Sequence, residues 1–463
     1  MNDAAMPSDR QSPIAGEENV MAAIPSALNA SRADGASKIS SPPMSRRRVV
    51  IATVIGNGLE FFDFTVFSFF VVIIGKQYFP NQSSFNQTLL TLGIFGAGYL
   101  IRPLGGIVLG AMADQHGRKA AMLWTLSLMA LGTLMVGATP AFDRIGYAAP
   151  VLIVIARLIQ GFAAGGEIGV TTAYLIEVAP SGRRGLYSGW QFVSQGVGVA
   201  LGGALSFAVV HGLSPEAYEA WGWRLPFFAG VLIVPIGMII RKQLSETIAE
   251  DERHATFSGI FKDLAKFSWR PLLLGVGVIL GQTVTANINL YMATYVQRSL
   301  ALPASWGMLM GMFHGLTLLV IGVGAAYASD IIGRRNIALI VVRCLQIAVV
   351  FPCFWIFTHQ PSLAQLIIGN VVNSAAFAAS VAGMNVLIME HLPKSVRTSG
   401  FSIIYALTVA VFGGLTQPAV TWAIEVTGNP MMPAWFIAGA ALISIAALAR
   451  LKDRGGHDMP SRH

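Results

Sequence analysis

The chain has 463 residues, of which 54% are hydrophobic and only 12% charged, with a mean hydropathy of +0.61; soluble proteins carry about 25% charged residues, so a single water-soluble core is excluded. The formal charge of +8 does not point to nucleic acid, because no soluble module combines a basic face with aromatic stacking platforms. Cys344 and Cys353 share one apolar run and suggest neither a disulfide framework nor a metal site.

Residues 1–45 are rich in Ser, Ala, Pro and Asn and read as a disordered cytoplasmic tail ending near the basic trio Arg46, Arg47 and Arg48. Apolar runs of spanning length follow near 49–75, 89–112, 120–139, 149–175, 185–211 and 225–241, all within residues 46–241. A charged segment, 242–270, reads as a cytoplasmic central loop. Within 271–450 come six more runs, near 271–297, 305–328, 336–357, 363–388, 398–421 and 432–449, and 451–463 is a second tail. The pattern predicts an all-α integral membrane protein of twelve transmembrane helices in two six-helix halves. With the N-terminus inside, the inner loops and helix ends hold twenty Lys and Arg and the outer loops four, so both termini are expected in the cytoplasm.

The two halves repeat each other. Gly110-x-x-x-Asp114-x-x-Gly117-Arg118-Lys119 follows the second run, and Asp330-x-x-Gly333-Arg334-Arg335 follows the eighth, offset by 216. Glu177-x-x-Pro180-x-x-x-Arg184 recurs as Glu390-x-x-Pro393-x-x-x-Arg397, offset by 213. Two motifs at nearly one offset argue for duplication, the signature of a transporter built from repeats. In such a turn glycine permits the tight reversal and the acid can hold neighbouring helix ends or arginines in one conformation and release them in another. All twelve residues are candidates for gates: Asp114, Gly117, Arg118, Lys119, Asp330, Gly333, Arg334, Arg335, Glu177, Arg184, Glu390 and Arg397. The second copy has Ala326 where the first has Gly110, so its packing is expected to be looser. The glycines of Gly196-x-Gly198-x-x-x-Gly202-Gly203 lie in an apolar run without the Gly-Lys-Ser/Thr ending of a phosphate loop, and read as small residues that let helices approach.

These loops resemble the signature of the major facilitator superfamily, as does Arg157-x-x-Gln160-Gly161 in the fourth run. Within it, the segment Gly56-Asn57-Gly58-Leu59-Glu60-Phe61-Phe62-Asp63-Phe64 and Ile101-Arg102-Pro103-Leu104-Gly105-Gly106 resemble the metabolite-proton symporter family. Phe412-Gly413-Gly414-Leu415-Thr416 and Pro433-Ala434-Trp435 resemble its citrate-proton symporter branch. The resemblance spans residues 46–450. It implies a major facilitator fold and import of an organic anion with protons, citrate or a related tricarboxylate first. It also implies a multi-pass protein of the bacterial inner membrane, without cofactor or ATP, expected to be monomeric.

A charge at the bilayer centre costs about 2.5–3.5 kcal/mol on insertion scales, so each one retained there needs a reason. Glu60 and Asp63 lie roughly 18–22 Å along the first helix at 1.5 Å per residue, and Arg102 and Arg157 reach similar depth: two acids and two bases in one layer. One reading is that they are internal ion pairs holding the bundle together. The other is that protonating an acid releases an arginine whose planar fork grips a substrate carboxylate. On the second reading Glu60, Asp63 and Arg157 couple protons and Arg102 binds substrate, joined by Asn57, Gln160, Asn287, Asn289, Tyr291 and Tyr295; His314, Asn370 and Asn373 are further polar groups at depth. Glu167 and Arg343 are expected nearer the inner face. Rival functions are symport of a dicarboxylate, 2-oxoglutarate, a shikimate-like acid or a betaine, and, in another class, a transporter-like sensor. No His-Glu-x-x-His or Ser/His/Asp pattern suggests an enzyme.

Overall fold

The computed structural model describes residues 46–178, 184–242, 269–331, 335–359, 361–381, 383–392 and 397–451, and no strand occurs among them. Eleven described helices are long and apolar enough to cross a bilayer, and a bent pair supplies a twelfth span. The first half comprises α1 (Arg46–Phe69), α2 (Ser84–Leu100, continuing as Arg102–His116), α3 (Arg118–Ala138), α4 (Ala148–Val178), α5 (Arg184–Gly212) and α6 (Leu225–Lys242). The second comprises α7 (Trp269–Arg298), α8 (Ala304–Ile331), α9 (Arg335–His359) and α10 (Leu363–Val381, resuming as Met384–His391). It ends with α11 (Arg397–Thr408, continuing to Thr427) and α12 (Met432–Arg450). The predicted spans match these within a few residues, except that the first turns by 63° at Phe70 into a short helix, Val71–Tyr78.

Burial is inverted relative to a soluble protein. Leu104, Trp124, Leu232, Ile239, Val320, Ile368 and Trp422 face outward, while Asn57, Glu60, Asp63, Arg102, Arg157 and Gln160 are buried. Hydrocarbon accepts such an exterior, and helices satisfy their own backbone groups there, which is why this architecture suits a membrane.

Two glycine-lined crossings set the positions of the helices around the centre. Along α2 and α4, a methyl group at Gly161 would strike the Gly98 carbonyl, at Gly105 the Phe162 carbonyl and at Gly165 the Arg102 carbonyl. The two backbones therefore touch, and Arg102 and Arg157 are carried into one layer. The glycines of α5, read from the sequence as letting helices approach, work on two sides. Gly198 and Gly202 admit α1, and Gly196 and Gly203 admit α8 from the other half.

Helix breaks occur beside the same centre. Pro103 lacks the N–H that would continue the ladder, and α2 breaks at Ile101, next to Arg102. The second half of α10 starts at Gly383 in a left-handed conformation (φ 71°). Val409–Gly413 of α11 is π-helical, a local widening that often marks functional positions. Beyond the centre, towards the end away from the termini, the halves are bonded together. The Ser68 hydroxyl donates to the Leu290 carbonyl (2.9 Å) and its own carbonyl accepts from Thr294 (3.4 Å). Arg298 bonds Ser84 near the surface of that end.

Candidate functional site

Among the described residues, the buried charges of the first half form three carboxylate–arginine pairs, each joining different helices. Arg102 (α2) lies 3.3 Å from Glu60 (α1), Arg157 (α4) 3.4 Å from Asp63 (α1), and Arg241 (α6) pairs with Glu167 (α4). Their surroundings differ. Asp63 is enclosed in a hydrogen-bonded knot: Thr133 donates to one carboxylate oxygen (2.7 Å) and Gln160 to the other (2.6 Å), while Arg157 donates to the Gln160 carbonyl (2.6 Å). Gln160 also reaches the Thr133 hydroxyl at 3.1 Å. Glu60 has no such company: neither of its oxygens makes a hydrogen bond meeting ordinary geometry, and Arg102 is its ionic partner.

Aromatic rings hold both guanidiniums. The Arg102 Cζ is 4.6 Å from the Phe64 ring centre and 4.2 Å from that of Tyr99. Arg157 is 4.8 Å from Phe64, 4.4 Å from Phe67 and 4.9 Å from Phe95. Ring faces attract cations, more strongly where water is excluded. Phe64 touches both arginines, and their accessibility is unequal: Arg102 lines a central cavity, whereas Arg157 and Asp63 do not.

That cavity encloses about 630 Å³ including its open mouth. Phe61, Tyr99, Arg102, Gln195 and Val199 line it from the first half. Gln282, Thr283, Asn287, His314, Phe377 and Tyr405 are among the residues facing them from the second. Arg102 is the permanent cation of this lining. His314 is bonded through Nδ1 to the Ser374 hydroxyl (2.7 Å). Among the described residues no cluster of three or more His, Cys, Asp or Glu is arranged to hold a metal.

Residues 53–415 match the family described as Major Facilitator Superfamily. The chain belongs to that superfamily. It is similar to the citrate-proton symporter of Klebsiella pneumoniae, 36% identical over 89% of this chain and 93% of the relative. It is also similar to the alpha-ketoglutarate permease of Escherichia coli K12, 31% identical over 90% and 97%. Among solved structures the D-xylose-proton symporter shares the fold, with a TM-score of 0.72 at 18% identity over 89% of this chain and 99% of that one. The molecule is therefore a multi-pass membrane transporter and not an enzyme.

Within this facilitator, Arg102, Asn287 and His314 line the cavity, and the other polar candidates lie elsewhere. Asn57 faces α5, donating to the Gln191 carbonyl (3.1 Å) and to the Ser194 hydroxyl. Gln160 belongs to the Asp63 knot. Asn289 accepts from Asn373 (3.1 Å), Tyr291 from Thr421 (3.0 Å), and the Tyr295 hydroxyl donates to the Pro430 carbonyl (2.9 Å). Asn370 donates to the Met310 carbonyl (2.8 Å). Glu167, expected nearer the inner face, meets Arg241, whose other terminal nitrogen donates to the Met122 carbonyl (2.7 Å).

Of the loop candidates, Gly117 adopts φ 94°, a conformation that favours glycine at this turn. Lys119 and Arg335 are partly buried. The side chains of Asp114, Arg118, Glu177, Arg184, Asp330, Glu390 and Arg397, and all of Gly333 and Arg334, lie outside the described residues. Tyr99, Tyr405, Gln195, Gln282 and Thr283 were not anticipated from the sequence. The signals that could have found them are helical spacing from Arg102 back to Tyr99, and from Asn287 back to Thr283.

Proposed function

We propose that this facilitator imports a tricarboxylate, citrate ahead of other acids, together with protons, across a bacterial inner membrane with both termini in the cytoplasm. The observation that carries the reading is that the cavity's permanent cation, Arg102, is held at 3.3 Å by an acid, Glu60, that has no other bond to lose. Protonating Glu60 cancels its attraction and frees the guanidinium fork for a substrate carboxylate. Returning the proton to the inside lets Glu60 displace the substrate.

Similarity to citrate-proton symporters supports citrate, and similarity to the alpha-ketoglutarate permease supports 2-oxoglutarate as the second candidate. Energetics favour cotransport: an inside-negative potential of 100 mV opposes a trianion by roughly 7 kcal/mol, at about 2.3 kcal/mol per charge. Accompanying protons neutralise that load and add the pH gradient. Asp63 and Arg157 serve as the second coupling pair, their knot transmitting the rearrangement among α1, α3 and α4. The Asp114 and Asp330 turns, with Glu177, Arg184, Glu390 and Arg397, act as cytoplasmic braces that part as the halves rock.

The test is uptake of radiolabelled citrate into proteoliposomes, with and without an inward proton gradient, competed by unlabelled 2-oxoglutarate, shikimate and betaine. Citrate accumulation that collapses with the gradient is the expected result. Accumulation of 2-oxoglutarate without citrate would move the substrate, and binding without accumulation would favour a sensor.

A further inference from the structure

The two walls of the cavity offer opposite chemistry. The first half contributes Arg102, a donor of hydrogen bonds that cannot accept one. Helix α7 of the second half contributes two amide carbonyls without partners, Gln282 Oε1 and Asn287 Oδ1, on side chains only 7% and 3% exposed. The orientation of Asn287 is fixed by chemistry, because its Nδ2 donates to the Thr283 carbonyl at 3.0 Å. Turning the amide over would set oxygen against oxygen, so the free end is the acceptor. Thr283 and Asn287, four apart and both lining the cavity, put this acceptor on the cavity face of α7.

A buried acceptor left unmatched by a ligand is costly, and a site built around one rejects ligands that cannot supply the donor. A fully ionised carboxylate is an acceptor only and is repelled by an amide oxygen. A quaternary ammonium has no N–H to give. We infer that Asn287, with Gln282, determines specificity by reading an O–H group on the substrate while Arg102 holds a carboxylate. The selected class is acids bearing both, the O–H coming from an alcohol or from one un-ionised carboxyl. The inference rests on the organic-acid reading above and names what that same site distinguishes.

The test uses the full chain in proteoliposomes and two pairs of acids that differ by one hydroxyl, citrate with tricarballylate and malate with succinate. At alkaline pH, where every carboxyl is ionised, an alcohol reader favours the hydroxy member of a transported pair by tenfold or more. At mildly acidic pH a reader of un-ionised carboxyls instead admits tricarballylate or succinate in proportion to its singly protonated fraction. Either pattern must be lost in Asn287→Ala. For the alcohol reader, the ratio of hydroxy to deoxy uptake should fall from tenfold or more towards one. A changed ratio separates lost recognition from misfolding, which lowers both acids alike, and Gln282→Ala provides a second variant with the same expected direction.

Equal uptake of hydroxy and deoxy partners at alkaline pH, with no rise of the deoxy acid on acidification, would overturn the inference and leave acid transport intact. An unchanged preference in Asn287→Ala would do the same. Uptake of none of the four acids would overturn the transport reading itself, and the inference with it.

Discussion

The interiors of the two halves hold the same kind of relay with and without its acid. In the first half Arg157 donates to Gln160 (2.6 Å), and Gln160 donates to Thr133 (3.1 Å) and to Asp63. In the second, Arg343 donates to Gln346 (2.7 Å), and Gln346 donates to Thr285 (3.1 Å), but no carboxylate completes the set among the described residues. The contrast extends to the cavity walls: the first half presents Arg102, one member of a buried ion pair, while Asn, Gln, Thr and His line the second. Protons bind where the acids are. On the proposed mechanism, charge coupling belongs to one half, and the other supplies a neutral polar wall against which the substrate is measured.

The largest expected effect tests the acid-bearing relay. Asp63→Ala would strand Arg157 among Phe64, Phe67 and Phe95 without a counter-ion, and breaking a buried pair from one side costs about 3–5 kcal/mol. The thermal midpoint in detergent should fall accordingly and should largely recover in Asp63→Ala/Arg157→Met, where no charge is left unpaired. A double variant no better than the single one would mean that the pair does not act as a unit.

Next comes Arg102. Arg102→Gln should cut citrate uptake by about 100-fold, since loss of a buried charged hydrogen-bonding partner costs about 2–5 kcal/mol, and Arg102→Lys should restore it only in part because an ammonium cannot bind two-pronged. Intact uptake in Arg102→Gln would favour a betaine-type substrate. Glu60→Gln should lower the gradient-driven accumulation ratio to about one while preserving citrate exchange, because a permanently neutral residue leaves Arg102 released at every pH. Gradient dependence like that of wild type would assign the coupling proton elsewhere.

The fold was legible because its cause is one-dimensional: twelve apolar runs and a duplicated loop are written along the chain. The four charges at depth were legible for the same reason, since each is anomalous in its own segment. Their pairing was not, because it depends on how closely α2 and α4 cross, a consequence of Gly98, Gly105, Gly161 and Gly165 acting together. The polar run on α7 shows a different limit. Asn287, Asn289, Tyr291 and Tyr295 look like one cluster in sequence. A helix turns 100° per residue, however, so Asn289 points away to α10, while Tyr291 and Tyr295, one and two turns beyond Asn287, bond at other heights, to α11 and to the turn before α12. Gln282 and Thr283, a turn earlier on the cavity face, carry no charge to draw the eye.

The smallest expected effect is the most demanding test of the contrast between halves. Arg343 is buried and one of its terminal nitrogens is unpartnered, so its removal strands no acid and takes away a charge that the apolar interior disfavours. Replacing buried charge with an apolar side chain of similar volume is often neutral or stabilising. Arg343→Met should therefore shift stability by less than about 1 kcal/mol or raise it, and leave citrate uptake within about twofold of wild type. It differs from Asp63→Ala in both sign and size, although the two relays look alike in hydrogen bonding. A large loss of uptake with an unchanged thermal midpoint would show that the free nitrogen of Arg343 is used when the halves rearrange. The second half would then carry a cation of its own into the transport cycle, and the division between a charged half and a neutral one would fail.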